Sequence, residues 1–251
     1  MAGRGMRAVV IAGHSHRKAL GVARGDRTQA PDLLPLEPPD GRFLGLSGGP
    51  KQAVYWDRLC ALAPGRRIAL AWEGNRYNDA FLLQGEPAFD LMVAELPHLP
   101  PRDDRVLVPE RAVRARFAET EAGLAAFLER LAAHDPAGVV LVGAPPPKAD
   151  ARRLADLMGI GAYGAKLAAA HGLDPQALTL TPATVRLKLW QVEQNVLRGV
   201  AERFGHPFVP APGACTDTDG CLHPDYWAED VTHANAAYGA LMRDAIAIHV
   251  A

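Results

Sequence analysis

Short apolar runs alternate with amphipathic stretches along the whole chain. Five of the runs are four to six residues long, and each ends beside glycine, proline or a polar residue. Apolar runs of this length are typical of strands that are buried on both faces of a sheet. We therefore predict strands over residues 7–12, 42–47, 67–72, 138–143 and 207–210.

A helical period replaces the strand pattern between these runs. In the clearest case, residues 110–134, apolar side chains recur every three or four positions. The predicted helices cover residues 51–63, 110–134, 150–170, 182–204 and 232–250. Prolines, glycines and charges predict a surface loop over residues 25–41 and irregular insertions at 76–109 and 145–181.

This alternation of strands and helices predicts one α/β domain over residues 1–251. The fold class is a flavodoxin-like three-layer sandwich, in which helices cover both faces of a five-stranded parallel sheet of order 2-1-3-4-5. The first strand is central in that order. Its carboxyl end lies at the topological switch point, where open α/β sheets bind their ligands.

Charge and composition narrow the function classes. The net charge is -1 and no block of basic residues is present, which argues against a nucleic-acid or membrane-surface partner. No apolar run is long enough for a spanning helix, and no cleavage-site pattern follows the first residues, so we expect a cytoplasmic protein. Cys60, Cys215 and Cys221 match no common zinc spacing and are predicted as free thiols, with a Cys215–Cys221 disulfide as the alternative.

Polar or turn residues that suit catalysis follow three of the predicted strands and precede the last helix. They are Ser15, Gly48, Asn75 and the block Asp230-Val231-Thr232-His233. Because the carboxyl ends of parallel strands meet at one edge of a sheet, we expect the first three to lie close together there.

These residue types form a complete set for acyl transfer. A serine hydroxyl is a poor nucleophile until a base takes its proton, and His233 is the candidate base for Ser15. Asp230 would hold the imidazole in the correct tautomer. The N–H groups of Ser15 and Gly48 and the side-chain amide of Asn75 are candidate donors of an oxyanion hole.

The same blocks resemble those of the SGNH, or GDSL-like, hydrolases. They are Gly13-His14-Ser15, Leu46-Ser47-Gly48, Gly74-Asn75 and Asp230-Val231-Thr232-His233, in the order of the family. The resemblance implies a flavodoxin-like fold and a serine esterase or O-acyltransferase that forms an acyl-enzyme. It also implies a small-molecule ester or acylated substrate and no cofactor or metal.

Two positions depart from the family pattern. His14 stands where the family usually has aspartate, and Glu73 stands where it usually has glycine. These departures keep a catalytically silent binding domain open as an alternative function. The pair His14 and His16 also keeps a metal-dependent hydrolase open. His14, His16, Glu73 and Tyr77 are candidate residues for lining the substrate site.

The asparagine of the oxyanion hole has a second candidate. Asn78-Asp79 matches the Asn-Asp pair of the family, whereas Asn75 lies directly at the predicted strand end. We assign the role to Asn75 for this reason. The alternative is that Asn75 caps the following helix and Asn78 serves the site.

Overall fold

A six-stranded sheet forms the centre of the computed structural model, which describes residues 8–23, 29–160, 162–172 and 178–250. The strands are β1 Val9–Gly13, β2 Leu33–Pro35, β3 Phe43–Leu46, β4 Arg67–Ala71, β5 Phe89–Asp90, β6 Val106–Leu107, β7 Gly138–Val142 and β8 Phe208–Val209. The sheet order is β2-β3-β1-β4-β7-β8, and β5 and β6 form a separate pair.

The five predicted strands are confirmed as β3-β1-β4-β7-β8, which is the predicted parallel order. The sheet has a sixth strand, however. Strand β2 lies inside the predicted loop 25–41 and pairs antiparallel with β3, with Leu33 opposite Leu46. Its three residues are too few to show an alternating pattern, and Pro35 is tolerated because β2 is an edge strand. Residues 25–28 of that loop lie outside the described residues.

Helices cover both faces of the sheet. They are α1 Ala53–Leu62, α2 Arg76–Phe81, α3 Glu110–Thr120, α4 Ala122–Ala132, α5 Ala151–Ile160, α6 Ala162–His171, α7 Ala183–Arg203 and α8 Ala236–His249. Ile11 of β1 packs with α8 on one face, and its neighbour Val10 packs with α1 and α4 on the other. None of the helices that the structure describes is long and apolar enough to cross a bilayer.

The predicted helix 110–134 is two helices, because its halves pack in different places. Phe117 of α3 packs with residues of α7, whereas Leu124 and Leu128 of α4 pack against the sheet. The chain changes direction at Glu121, where φ is −93° and ψ is 3°. One straight helix would not reach both surfaces.

The Glu121 carboxyl is buried at this bend, and both of its oxygen atoms lack a hydrogen-bond partner among the described residues. Burial, together with the nearby charges of Glu193 and Glu73, raises its pKa from 4.5 to about 8. A carboxyl with a raised pKa in the folded state stabilises the fold below its unfolded pKa. That contribution is lost as the pH rises through the folded pKa.

We therefore expect Glu121→Gln, which cannot ionise, to be more stable than the wild type at pH 9 by on the order of a few kcal/mol. The difference should shrink at pH 5. Urea unfolding at both pH values measures the difference. Glu119→Gln is the matched control, because its exposed carboxylate lies two residues before Glu121, in the last turn of α3. Parallel pH dependences in Glu121→Gln and the wild type would contradict the assignment.

The closing helix begins later than predicted, because residues 232–235 belong to an irregular loop. Asn235 caps α8 by accepting hydrogen bonds from the N–H groups of Ala237 and Tyr238. Helix α8 then lies directly on the turn that follows β1. A Cβ on Gly239 would come 1.6 Å from the carbonyl oxygen of Ala19.

The α8 contact continues one turn further along the helix, where Arg243 Nη1 donates to the carbonyl oxygen of Leu20 over 3.2 Å. The turn after β1 is thereby fixed to the C-terminal helix at two points. Cys60, Cys215 and Cys221 are buried free thiols, as predicted.

Candidate active site

The turn after β1 is shaped by a close approach to β4. Gly13 has a φ of +125°, and a Cβ there would lie 2.1 Å from the carbonyl oxygen of Ala71, so only glycine fits. The next N–H, of His14, donates to the same oxygen over 2.7 Å. Ser15 then begins a single 3₁₀ turn, Ser15–Lys18, and its side chain is exposed. The structure thus places Ser15 at the open end of the central strand.

Asp230 and His233 form a hydrogen-bonded pair in the loop before α8. Asp230 Oδ2 lies 2.7 Å from His233 Nδ1, and Oδ1 accepts the N–H groups of Thr232 and His233. Burial by itself would raise the pKa of Asp230, but the hydrogen bonds from His233 and Thr232 outweigh it and hold the pKa well below its usual range. An ionised Asp230 binds the Nδ1–H tautomer, so that Nε2 is the basic nitrogen of His233.

Lys148 holds this loop against the end of β7. Its buried Nζ donates to the carbonyl oxygen of Ala228 over 2.8 Å and to that of Asp230. Burial lowers the pKa of this ammonium to about 8. Sequence reasoning missed Lys148, because a lysine after three prolines carries no signal of a partner about 80 positions later.

The Ser15 turn and the His233 loop meet at His16. The His16 and His233 ring centroids are 5.3 Å apart. His233 Nε2 has no hydrogen-bond partner in the described part of the chain, so the Ser15–His233 hydrogen bond is not formed in this structure. Catalytic hydrogen bonds are often long without substrate and tighten only in the complex. The structure therefore brings the Asp230–His233 pair to the Ser15 turn and leaves the last contact open.

The candidate oxyanion donors lie at the ends of β3 and β4. Gly48 follows β3 with a φ of +100°, and Asn75 is half-buried at the N-terminus of α2. Asn78 is 3% exposed, and its Nδ2 donates to Asn75 Oδ1 over 2.7 Å. This bond leaves the Asn75 Nδ2 hydrogens available for another acceptor. Asn78 is thus the buried partner that orients the Asn75 amide. The Asn75 side chain makes no capping hydrogen bond to α2.

The two departures from the family pattern contact each other. His14 Nδ1 accepts the N–H of Glu73 over 3.1 Å, and His14 Nε2 lies 3.5 Å from Glu73 Oε1. The His14 ring also packs on Trp56 and Trp72. Burial and the charges of Arg76 and Arg17 lower the pKa of His14 to about 4, so the ring is neutral. His14 and Glu73 therefore join the ends of β1 and β4.

Two predicted lining residues are buried instead. Tyr77 is 2% exposed and packs in the core between α2, α3 and α7. His16 is 8% exposed, and burial is the main cause that lowers its pKa to about 3. Both are core residues beside the site, because the helix and the 3₁₀ turn that carry them point these side chains inward. Glu73 keeps a partly exposed carboxylate.

The two histidines that flank Ser15 have separate surroundings. His14 contacts Glu73 and two tryptophans, whereas His16 contacts His233. The part of the chain that the structure describes contains no cluster of three or more His, Cys, Asp or Glu side chains that could hold a metal ion.

Neither a family model nor a curated protein matches the chain. Solved structures match it over nearly its whole length. One is phospholipase A1 from Streptomyces albidoflavus NA297, at 16% identity and a TM-score of 0.53, with 98% of this chain and 100% of that chain covered. Another is the lipopolysaccharide acetyltransferase periplasmic domain of Salmonella ser. Paratyphi A, at 12% identity and a TM-score of 0.50, with 98% and 84% covered.

A GDSL-like lipase from Bacteroides thetaiotaomicron VPI-5482 is also among the similar structures, at 12% identity and a TM-score of 0.48, with 97% and 86% of the two chains covered. The phospholipase and the acetyltransferase domain, which each match 98% of this chain, support the fold. The chain therefore has the fold of the SGNH hydrolases, as its four sequence blocks predicted.

Proposed function

We propose that the chain is a serine-dependent ester hydrolase or O-acyltransferase of SGNH type that forms an acyl-enzyme on Ser15. The observation that carries the proposal is the Asp230–His233 pair, at 2.7 Å, beside the turn that presents Ser15. The phospholipase and the acetyltransferase that share the fold are both named for acyl chemistry, which agrees with this assignment.

The proposed acylation step uses Ser15 as the nucleophile and His233 as the base. Ser15 Oγ attacks the ester carbonyl carbon, and its proton moves to His233 Nε2. The ionised Asp230 stabilises the imidazolium through Nδ1. The carbonyl oxygen becomes an oxyanion, which the N–H groups of Ser15 and Gly48 and the amide of Asn75 would bind. The tetrahedral intermediate then expels the alcohol, which takes the proton from His233.

The second half-reaction decides between the two activities. Water that attacks the acyl-enzyme, with His233 again taking the proton, gives a carboxylic acid and an esterase. An alcohol acceptor in the same place gives a new ester and a transferase. The same residues serve both, so the acceptor has to be found by assay rather than from the catalytic groups.

Labelling with a fluorophosphonate probe tests the serine mechanism directly. The chain has two serines, and they differ sharply: Ser15 is exposed, whereas Ser47 is buried and its Oγ exchanges hydrogen bonds with the backbone of Asp32. We expect the adduct on Ser15 alone, by peptide mapping, and its loss in His233→Ala. A protein that stays unlabelled while folded would favour the catalytically silent binding domain, for which the open Ser15–His233 contact is the supporting observation.

The Asn75 assignment has its own test. Since an oxyanion donor acts mainly when charge develops, Asn75→Ala should lower kcat by on the order of 10²–10³ and change KM little. Asn75→Asp should be as slow, because it keeps the oxygen that faces Asn78 and lacks the donor. Asn78→Ala should lower Tm, since Asn78 is 3% exposed. Steady-state kinetics and thermal melts on all three decide it, and a normal kcat in Asn75→Ala with a large loss in Asn78→Ala would reverse the two roles.

A further inference from the structure

The guanidinium of Arg17 is buried directly behind the Ser15 turn. Its side chain is 4% exposed, and its Nη1 donates to the carbonyl oxygen of Gly13 over 3.0 Å and to the hydroxyl of Tyr55. Its Nη2 donates to the carbonyl oxygen of Gly48. One planar group therefore bonds the end of β1 and the turn after β3.

Tyr55 completes this connection from helix α1. Its buried hydroxyl accepts the N–H of Gly13 over 2.8 Å, and the Arg17 guanidinium carbon lies 4.8 Å from the centre of the Tyr55 ring. Burial raises the pKa of Tyr55, so the phenol stays neutral and its oxygen can accept both hydrogen bonds. Gly13, Arg17, Gly48 and Tyr55 thus form one buried cluster, which we name the Arg17 cluster.

Within the described residues, the charge of Arg17 has no carboxylate partner. None of the ion pairs within 4.0 Å in the described ranges includes Arg17, although the site has carboxylates at Glu73 and Asp230. A buried cation without a counterion is costly unless it is hydrogen-bonded, and here two backbone carbonyl oxygens and a phenol accept three hydrogen bonds from it. Its positive potential therefore remains available to an anion that develops nearby.

We propose that Arg17 is a positioning residue for the oxyanion hole: it fixes Gly48 relative to Ser15 and adds positive potential behind the two N–H donors. The inference rests on the proposed serine mechanism. Arginine suits this task because two nitrogens of one rigid, planar group reach two carbonyl oxygens in fixed directions, whereas a lysine offers one nitrogen on a flexible stem. A misplaced donor costs catalysis even when substrate still binds.

The test compares Arg17→Met and Arg17→Lys with the wild type on p-nitrophenyl acetate. We expect Arg17→Met to lower kcat by about 10²-fold with KM within a factor of about two, and Arg17→Lys to fall between it and the wild type. The rate of fluorophosphonate labelling of Ser15 should fall in the same order, because that adduct also places an oxygen in the hole. Lys18→Met is the matched control, since it removes an exposed positive charge from the same turn and should keep wild-type kcat.

Thermal melts give the Tm of each variant, and all rates are measured well below it. A loss of kcat then reflects a change in the site rather than unfolding of the protein. If Arg17→Met does not fold, Tyr55→Phe replaces it: the ring stays and the shared hydroxyl is lost, and we expect kcat to fall about 10-fold. A folded Arg17→Met or Tyr55→Phe with wild-type kcat overturns the role of Arg17. An active Ser15→Ala overturns the serine mechanism itself, so the two failures are distinguishable.

Discussion

Ser15→Ala should lose on the order of 10⁶ in kcat on any ester that the wild-type protein turns over, because the covalent route disappears with the hydroxyl. The fold should survive the change. Ser15 is exposed at the first position of a 3₁₀ turn, where loss of the hydroxyl group opens no cavity. Initial rates with a chromogenic ester measure the loss.

The control for Ser15→Ala is a measurement of whether the variant is folded. Far-UV circular dichroism should superimpose on the wild type, and Tm should stay within a few degrees. A variant with wild-type kcat and a wild-type melt would exclude Ser15 as the nucleophile. In that case the Asp230–His233 pair would have to serve a different reaction.

His233→Ala should cost about as much as the loss of the serine, on the order of 10⁶ in kcat, whereas Asp230→Asn should cost about 10⁴. In the proposed mechanism the histidine moves the proton in both half-reactions. The aspartate only selects the tautomer and stabilises the imidazolium, so that a protein without it would retain a misoriented base. Steady-state rates of both variants give the order.

A second Asp–His pair in the same chain is the matched control. Asp225 and His223 lie 3.5 Å apart on the surface, with side chains that are 81% and 45% exposed. Asp225→Asn and His223→Ala should each keep kcat within about twofold of the wild type. Equal losses in the two pairs would mean that substitutions in this region act through stability alone.

The order of the parallel strands was predictable because each buried strand is a separate apolar run, and because the connections between parallel strands follow a handedness rule. The edge strand β2 was not, since three residues with little burial leave no pattern. The bend at Glu121, which divides the predicted helix 110–134 into two, was not predictable either. The apolar period of the sequence continues through Glu121 without a break. Only the structure shows that the residues before it pack on α7 and the residues after it pack on the sheet.

Part of the candidate site was also predictable from the sequence, and part was not. Ser15, Gly48 and Asn75 were predicted from turn residues at strand ends, and the structure places them after β1, β3 and β4. Asp230 and His233 were predicted from the block before the last helix, and His233 contacts His16 in the Ser15 turn. Arg17 and Lys148 were not predicted, because their roles depend on carbonyl groups far along the chain.

In the sequence, His14 and Glu73 are two separate departures from the SGNH pattern. They are one contact, in which a histidine nitrogen accepts the hydrogen bond of the Glu73 backbone. The two residues are 59 positions apart in the sequence, which therefore does not show that they are in contact. They meet because β1 and β4 are neighbouring strands.

The contact of α8 with the turn after β1 also decides when catalytic geometry can arise during folding. Arg243 and Leu20 are separated by 223 positions, so this contact closes a loop of almost the whole chain. Closing such a loop is entropically costly and belongs to the slow, non-local part of folding. The proposed nucleophile, Ser15, lies near one end of this loop, and the proposed base, His233, lies near the other. Under the proposed mechanism, a partial fold that lacks this contact has no working pair, and activity is expected only after the step that brings the two segments together.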